Sequence, residues 1–233
     1  MAQASYQQRR GQVETYFDRT AVQAWARLTS DAPVGRIRTT VRAGRDQMRA
    51  TLLSWLPADM RNLRILDAGC GTGAFAVETA KRGAQVVAID LSATLIDLAK
   101  QRVPLNLNGG SIDFVYGDML NLALGEFDYV VAMDSLIHYN TKDAIQVLAG
   151  LAPRTKHAML FTFAPRTPAL AAMHAVGKLF PRSDRAPSIE PVSEHRLRGH
   201  IASDPALQIW TQGRTTRIAS GFYTSQAMEL VRK

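Results

Sequence analysis

The stretch Ile65-Leu66-Asp67-Ala68-Gly69-Cys70-Gly71-Thr72-Gly73 constrains this chain more than any other. Leu63, Ile65 and Leu66 read as the end of a buried strand. Three glycines at alternate positions then predict a turn, and Ala74 to Ala80 opens a helix. Glycine suits such a corner because it accepts positive φ and lets a ligand lie directly on the backbone. A strand, a glycine turn and a helix N-terminus in that order form a loop for a nucleotide-like cofactor.

The cofactor class follows from the carboxylates around the turn. Gly69, Gly71 and Ala74 also satisfy the loose pattern of dinucleotide folds, a weak signal by itself. Asp67 sits just before the turn, placed to hold a ligand ammonium group. Asp90 closes the next apolar run, Val86 to Ile89, where a carboxylate accepts hydrogen bonds from a ribose diol. Gly117-Asp118 follows a third run, Ile112 to Tyr116, placing Asp118 to meet an adenine amino group. An ammonium, a ribose and an adenine without a pyrophosphate describe S-adenosylmethionine. Leu66 to Gly73, with Asp90 and Asp118, resembles the class I methyltransferase signature. That resemblance places Leu91, Met119 and Met133 with Asp67, Gly69, Gly71, Gly73, Asp90 and Asp118 in the cofactor site. It implies an α/β, Rossmann-like fold: a mostly parallel seven-stranded sheet whose last strand is antiparallel.

With 233 residues, one domain with additions is expected, and a dehydrogenase would need a second catalytic domain for which little chain remains. Cys70 is the single cysteine, which excludes an intramolecular disulfide and a cysteine zinc cluster. Lying inside the glycine turn, it reads as a small packing residue. No apolar stretch approaches the ~18 residues of a membrane span, and the N-terminal segment lacks a signal-peptide apolar region. A cytoplasmic protein, or one peripheral on a membrane, is expected. Charge is unevenly spread: residues 1–64 carry +6, residues 65–163 carry −3 and residues 164–233 carry +5. Basic flanks point to an anionic partner.

Taken in order, residues 1–62 form an N-terminal helical arm. A helix over 5–28 carries Val13, Tyr16, Phe17 and Trp25. A second, over 33–56, repeats Arg38, Arg42, Arg45 and Arg49 on one face, with Val41, Met48, Leu52 and Leu53 opposite. From 63 to 163, strands at 63–67, 85–89, 112–116, 127–133 and 157–163 alternate with helices at 74–82, 92–102 and 141–152. That alternation predicts a parallel sheet covered on both faces, with its ligand over the strand C-terminal ends. Residues 164–204 are a proline-punctuated insertion between the fifth and sixth strands. Its apolar segment 169–180, bounded by Arg166 and Arg182, suits a lid. A helix over 193–202 leads to strands 207–217 and 222–231 in the C-terminal unit 205–233.

The methyl acceptor should meet the residues after the fourth strand, Met133-Asp134-Ser135-Leu136-Ile137-His138-Tyr139. There is neither an N-P-P-Y-like turn for a base nitrogen nor a second cysteine for attack on a pyrimidine. No nucleic-acid partner is therefore expected. His138 is the one side chain there whose type titrates near neutrality.

Those residues, with Tyr16-Phe17-Asp18, Trp25, Phe161 to Pro165 and Ser220 to Tyr223, resemble the magnesium-protoporphyrin IX methyltransferase family in its purple-bacterial branch. The resemblance implies esterification of the ring-C propionate of magnesium-protoporphyrin IX in (bacterio)chlorophyll biosynthesis, with S-adenosylhomocysteine as the other product. Magnesium then enters only as part of the substrate. It further implies a working link to the large porphyrin-binding subunit of magnesium chelatase, and loose association with the photosynthetic inner membrane. The family's histidine carries over onto His138. The oxygenic branch has a tyrosine after the Trp25-like position, where this chain has Leu28-Thr29, so that role is not carried over. Substrate contacts are expected from Asp134, Tyr139, Tyr16, Arg38 and Arg42, and one arginine of the 38/42/45/49 face is expected to pair with the non-reacting propionate, the spacing leaving open which. The alternatives left open are another small acid, an RNA acceptor, or a non-catalytic porphyrin-binding partner of the chelatase.

Overall fold

The computed structural model describes residues 2–20, 29, 35–166 and 189–233. Trp25, Leu28 and the apolar segment 169–180 lie outside the described residues. Seven strands form one sheet: β1 (Arg64–Ala68), β2 (Gln85–Asp90), β3 (Ser111–Tyr116), β4 (Phe127–Ala132), β5 (Thr155–Phe163), β6 (Trp210–Ser220) and β7 (Tyr223–Arg232). Their order is β3-β2-β1-β4-β5-β7-β6, and β7 runs antiparallel to both of its neighbours. The first five strands pair in parallel, with β1 at the point where the order reverses. In such a sheet the ligand crevice lies beyond the carboxyl ends of β1 and β4.

Strand alternation sorts the core into two halves. Leu66, Val87, Ile89, Val130, Met159, Phe161 and Leu230 point to one face, against α5 (Thr141–Leu151) and α6 (Glu194–Ser203). Ile65, Val86, Ala88, Val131, Leu160 and Ala227 point to the other, against α2 (Arg36–Ser54) and α3 (Ala74–Ala80). Each Leu or Ile so buried contributes roughly 1.5–3 kcal/mol. The Met48, Leu52 and Leu53 stripe of α2 is buried in the second half, which leaves Arg42, Arg45 and Arg49 directed to the sheet's ligand end. Between β2 and β3 runs α4 (Ala93–Gln101), capped by Ser92, whose hydroxyl accepts from the Leu95 amide at 3.2 Å.

The N-terminal helix departs from expectation. α1 covers Ala2–Thr15, and a π-helical turn, Tyr16–Thr20, follows in place of a continuous helix. Such widened turns mark places where side chains must be re-aimed. Here Phe17 and Asp18, consecutive in sequence, both reach the body of the protein. The strands of the C-terminal hairpin begin three residues and one residue later than expected, at Trp210 and Tyr223. The insertion after β5 is closed at its base. Pro165 pairs with Val192, the Val192 amide donates to Ala164 and the Arg166 amide to Val192. No helix of the described residues is long and apolar enough to cross a membrane.

Candidate functional site

The glycine turn is fixed from two sides. The amides of Gly69 and Cys70 both donate to the carbonyl of Ile89, at 2.8 and 3.0 Å. The Gly71 amide donates to Asp90 Oδ2 at 2.8 Å, and the Ser92 amide to Asp90 Oδ1 at 2.9 Å. Asp90 therefore braces the turn as well as facing the cleft, and its burial raises its pKa. Gly69 has φ +85°, and a Cβ there would lie 2.3 Å from Ser135 Cβ. The donor turn thus rests directly on the loop after β4.

Asp67, next to last in β1, is 1% exposed, and its Oδ2 has no hydrogen-bond partner. A buried acceptor left bare is costly, which marks the place where a donor group belongs. Burial and then the nearby Asp90 push the Asp67 carboxyl up to about 7. The same burial, with Asp67 and Asp90 beside it, pushes the Cys70 thiol up, so it stays protonated and unreactive.

One cleft joins this turn to the expected acceptor side. From the donor half it is lined by Asp67, Gly69, Gly71, Asp90, Leu91 and Met119. From the other half come Met133, Asp134, His138, Tyr139 and Arg42. Four expected site residues do not line it. Gly73 is turned into the structure, where a Cβ would meet the Phe114 ring at 3.0 Å. Arg38 is exposed on α2. Tyr16 packs edge-on against Phe17, with ring centroids 5.2 Å apart. Asp118, expected at an adenine amino group, is instead engaged by the arm. It accepts from Tyr6 Oη at 2.7 Å and the Leu120 amide at 2.9 Å, and pairs with Arg10 at 2.9 Å. Its neighbour Met119 reaches the cleft.

Sequence reasoning passed over several contributors. Tyr6 is buried, stacks on Tyr139 with centroids 5.4 Å apart, and has its phenol pushed well above the ordinary value by burial. A tyrosine in an otherwise polar helical stretch was the available signal. Arg154 donates to the carbonyls of Asn121 and Met119, at 2.7 and 2.9 Å, and so fixes the loop behind Asp118. Arg45 and Arg49, expected on the basic face of α2, line the cleft with Arg42, and Phe17, one of the residues carrying the family resemblance, lies edge-on to His138 at 5.6 Å. His138 ends a 3₁₀ turn, Leu136–His138, and is 7% exposed.

Asp18 docks the arm onto α4. Its carboxylate accepts from Ser92 Oγ at 3.1 Å and from the amide and hydroxyl of Thr94 at 3.2 and 2.9 Å. A carboxylate at that helix N-terminus is favoured by about 0.3–1 kcal/mol. Asp18→Ala should therefore weaken donor affinity by a few-fold, because Phe17 and Val13 line the cleft from the arm. Calorimetric titration with S-adenosylhomocysteine reads this directly.

The comparisons agree with the geometry. Residues 132–232 match the family model described as magnesium-protoporphyrin IX methyltransferase C-terminus, and residues 65–157 match a methyltransferase domain model. The chain is 51% identical to the magnesium-protoporphyrin O-methyltransferase of Rhodobacter capsulatus, over 97% of this chain and 98% of that one. It is 31% identical to the Synechocystis enzyme of the same name, over 94% and 95%. The crystal structure of magnesium protoporphyrin IX methyltransferase from Synechocystis PCC 6803 with bound S-adenosylhomocysteine superposes with a TM-score of 0.83 at 29% identity. That alignment covers 96% of this chain and 99% of that one. A seven-stranded methyltransferase sheet, a bare acid beneath a glycine turn, and near full-length identity above half place this chain in the magnesium-protoporphyrin O-methyltransferase family of S-adenosylmethionine-dependent enzymes.

Proposed function

We propose that this chain transfers the methyl group of S-adenosylmethionine to the ring-C propionate of magnesium-protoporphyrin IX, giving the monomethyl ester and S-adenosylhomocysteine. The observation that carries this reading is one continuous cleft, with the bare Asp67 oxygen at one end and His138 with the arginines of α2 at the other. A doubly acidic, flat apolar substrate matches the second end in charge and in its Phe17, Met133 and Tyr139 walls.

The residues fit the donor. Asp67 Oδ2 accepts its ammonium, and the close Gly69–Gly71 backbone leaves room for its aminoacyl chain. Asp90 keeps acceptor lone pairs for the ribose diol, and Leu91 and Met119 supply apolar contact for the adenine. When bound, the donor supplies a sulfonium methyl, which a carboxylate oxygen takes in line as the C–O bond forms and the C–S bond breaks. The chain's own work is to align the two ends and keep water out. A free propionate has a pKa of about 4–5, so it needs no base in water. His138 orients it, and takes its proton where the dry cleft keeps the acid neutral. Magnesium enters within the porphyrin.

Receipt of the porphyrin from the large chelatase subunit, and loose attachment of a cytoplasmic protein to an anionic membrane, belong to the same proposal. The basic flanks support the latter. The test is chromatography of the product formed from S-adenosylmethionine and magnesium-protoporphyrin IX, where monomethyl ester is expected. His138→Phe should lower kcat by roughly a hundredfold. Full turnover at saturating porphyrin would remove His138 from the chemistry.

A further inference from the structure

The loop after β4 holds a polar cluster whose centre is Asp134. This residue has φ +54°, a left-handed conformation uncommon outside glycine, and its side chain is only 3% exposed. Its carboxylate is crowded with donors from both ends of the chain. Tyr223 Oη lies 3.0 and 3.1 Å from the two oxygens, and Ser225 Oγ and Thr162 Oγ1 each donate to Oδ1 at 3.2 Å. The Asp134 amide in turn donates to Thr162 Oγ1 at 2.7 Å. The remaining partner is Arg45, whose Nη1 meets Oδ2 at 2.8 Å. Asp134 is thus saturated by protein groups, and the expected direct substrate contact is better served by the guanidinium it holds.

The helix carrying Arg45 is set to the same point. Gly44, next in sequence, packs under the Tyr223 ring, where a Cβ would lie 2.4 Å from Cδ1. Only a glycine lets α2 come this close, and that closeness brings Arg45 within reach of a buried acid. Two other arginines of the face are placed differently. Arg38 is exposed, and Arg49 pairs at 2.7 Å with Asp46 of its own helix. Arg45 is tied to an acid on the body of the sheet, four residues before His138. A guanidinium so fixed recognises a carboxylate without first losing the freedom of a long side chain.

We propose that Arg45 holds the second, non-reacting propionate of the porphyrin, and that Asp134 is the positioning residue that aims it, with Tyr223, Ser225 and Thr162 fixing Asp134. The assignment rests on the porphyrin reading above and specifies how one of two equivalent acids is presented to His138. It singles out the guanidinium that is held by a buried acid of the loop before His138.

The test pairs a change in the protein with a change in the substrate. Steady-state KM is measured for magnesium-protoporphyrin IX and for its half-ester, in which the ring-D propionate is already methylated and the ring-C propionate is free. Arg45→Ala should raise KM for the diacid by roughly ten- to a hundredfold, the range for one hydrogen bond between charged groups. Wild-type protein should show a comparable rise on going from diacid to half-ester, and Arg45→Ala should add less than about twofold for the half-ester. Asp134→Asn, whose new residue also tolerates the left-handed backbone, should act in the same direction more weakly, and Arg45→Lys should recover part of the loss. Calorimetry with S-adenosylhomocysteine verifies that each variant is folded. Equal losses on both substrates would show that Arg45 only fastens α2 to the sheet, and would overturn the assignment, as would an unchanged KM for the diacid. No ester from wild-type protein with either substrate would instead overturn the porphyrin reading itself.

Discussion

Gly69→Ala is expected to cost at least about a hundredfold in kcat/KM and to weaken donor binding by a similar factor. Two penalties coincide at this position. An alanine at φ +85° carries about 1–2 kcal/mol of backbone strain. Its Cβ would also lie 2.3 Å from Ser135 Cβ, so the loop after β4 must move, at a further cost of about 1–3 kcal/mol. That movement disturbs both ends of the cleft, because Ser135 stands between Asp134 and the His138 turn. Differential scanning fluorimetry and calorimetry on the same sample separate the two consequences. A variant with lowered Tm but native donor affinity would show that the turn does not touch the donor. Alanine at Gly199, exposed on α6 with open space around it, should be close to neutral in both measurements.

Asp67 should give donor binding a pH dependence that few surface acids could. In the ligand-free protein its carboxyl is pushed up to about 7 by burial and by Asp90, whereas in the unfolded chain it ionises near 3.8. The folded form therefore keeps a proton that the unfolded form has lost. Folding stability from this group is fully present below pH 3.8 and declines as pH rises toward 7. An incoming ammonium reverses the preference, because the ionised acid is the form that pairs with it. Affinity should thus rise about tenfold per pH unit up to pH 7 and level off above it, until the donor's own amino group begins to lose its proton near 8. At pH 7 binding should release about half a proton, read by titration in buffers of different ionisation heat. Asp67→Asn should abolish the release, flatten the profile below 7 and weaken binding by roughly a hundredfold. A wild-type affinity that does not change between pH 5.5 and 7 would contradict this account.

Much of the donor half was legible in the sequence because its physics is local. A glycine turn between an apolar run and a helix announces itself within nine residues, and Asp90 is found by the ending of the next strand. Strand boundaries were close for the same reason. Asp118 shows where locality ends. Its place after β3 was read correctly, but Tyr6 and Arg10, over a hundred positions away, occupy its carboxylate. Arg45 could not be singled out from Arg38, Arg42 and Arg49, since helical spacing treats all four alike. What separates them is the approach of α2 to Tyr223, which depends on Gly44 and on the placement of β7 between β5 and β6. Likewise, nothing in Asp134 itself signals a positive φ. The side chains that make that backbone tolerable come from β5 and β7.

The reversed strand β7 lets the two halves of the cleft loosen separately. Asp67, Gly69 and Asp90 lie at the ends of β1 and β2, which pair with each other and with β4 and β3, and so owe no strand pairing to β7. Asp134 is different, because its partners Tyr223 and Ser225 come from β7, the strand that joins β6 to the rest of the sheet. Loosening β7 alone would therefore free Asp134 and its partner Arg45 while the strands around the glycine turn stay paired.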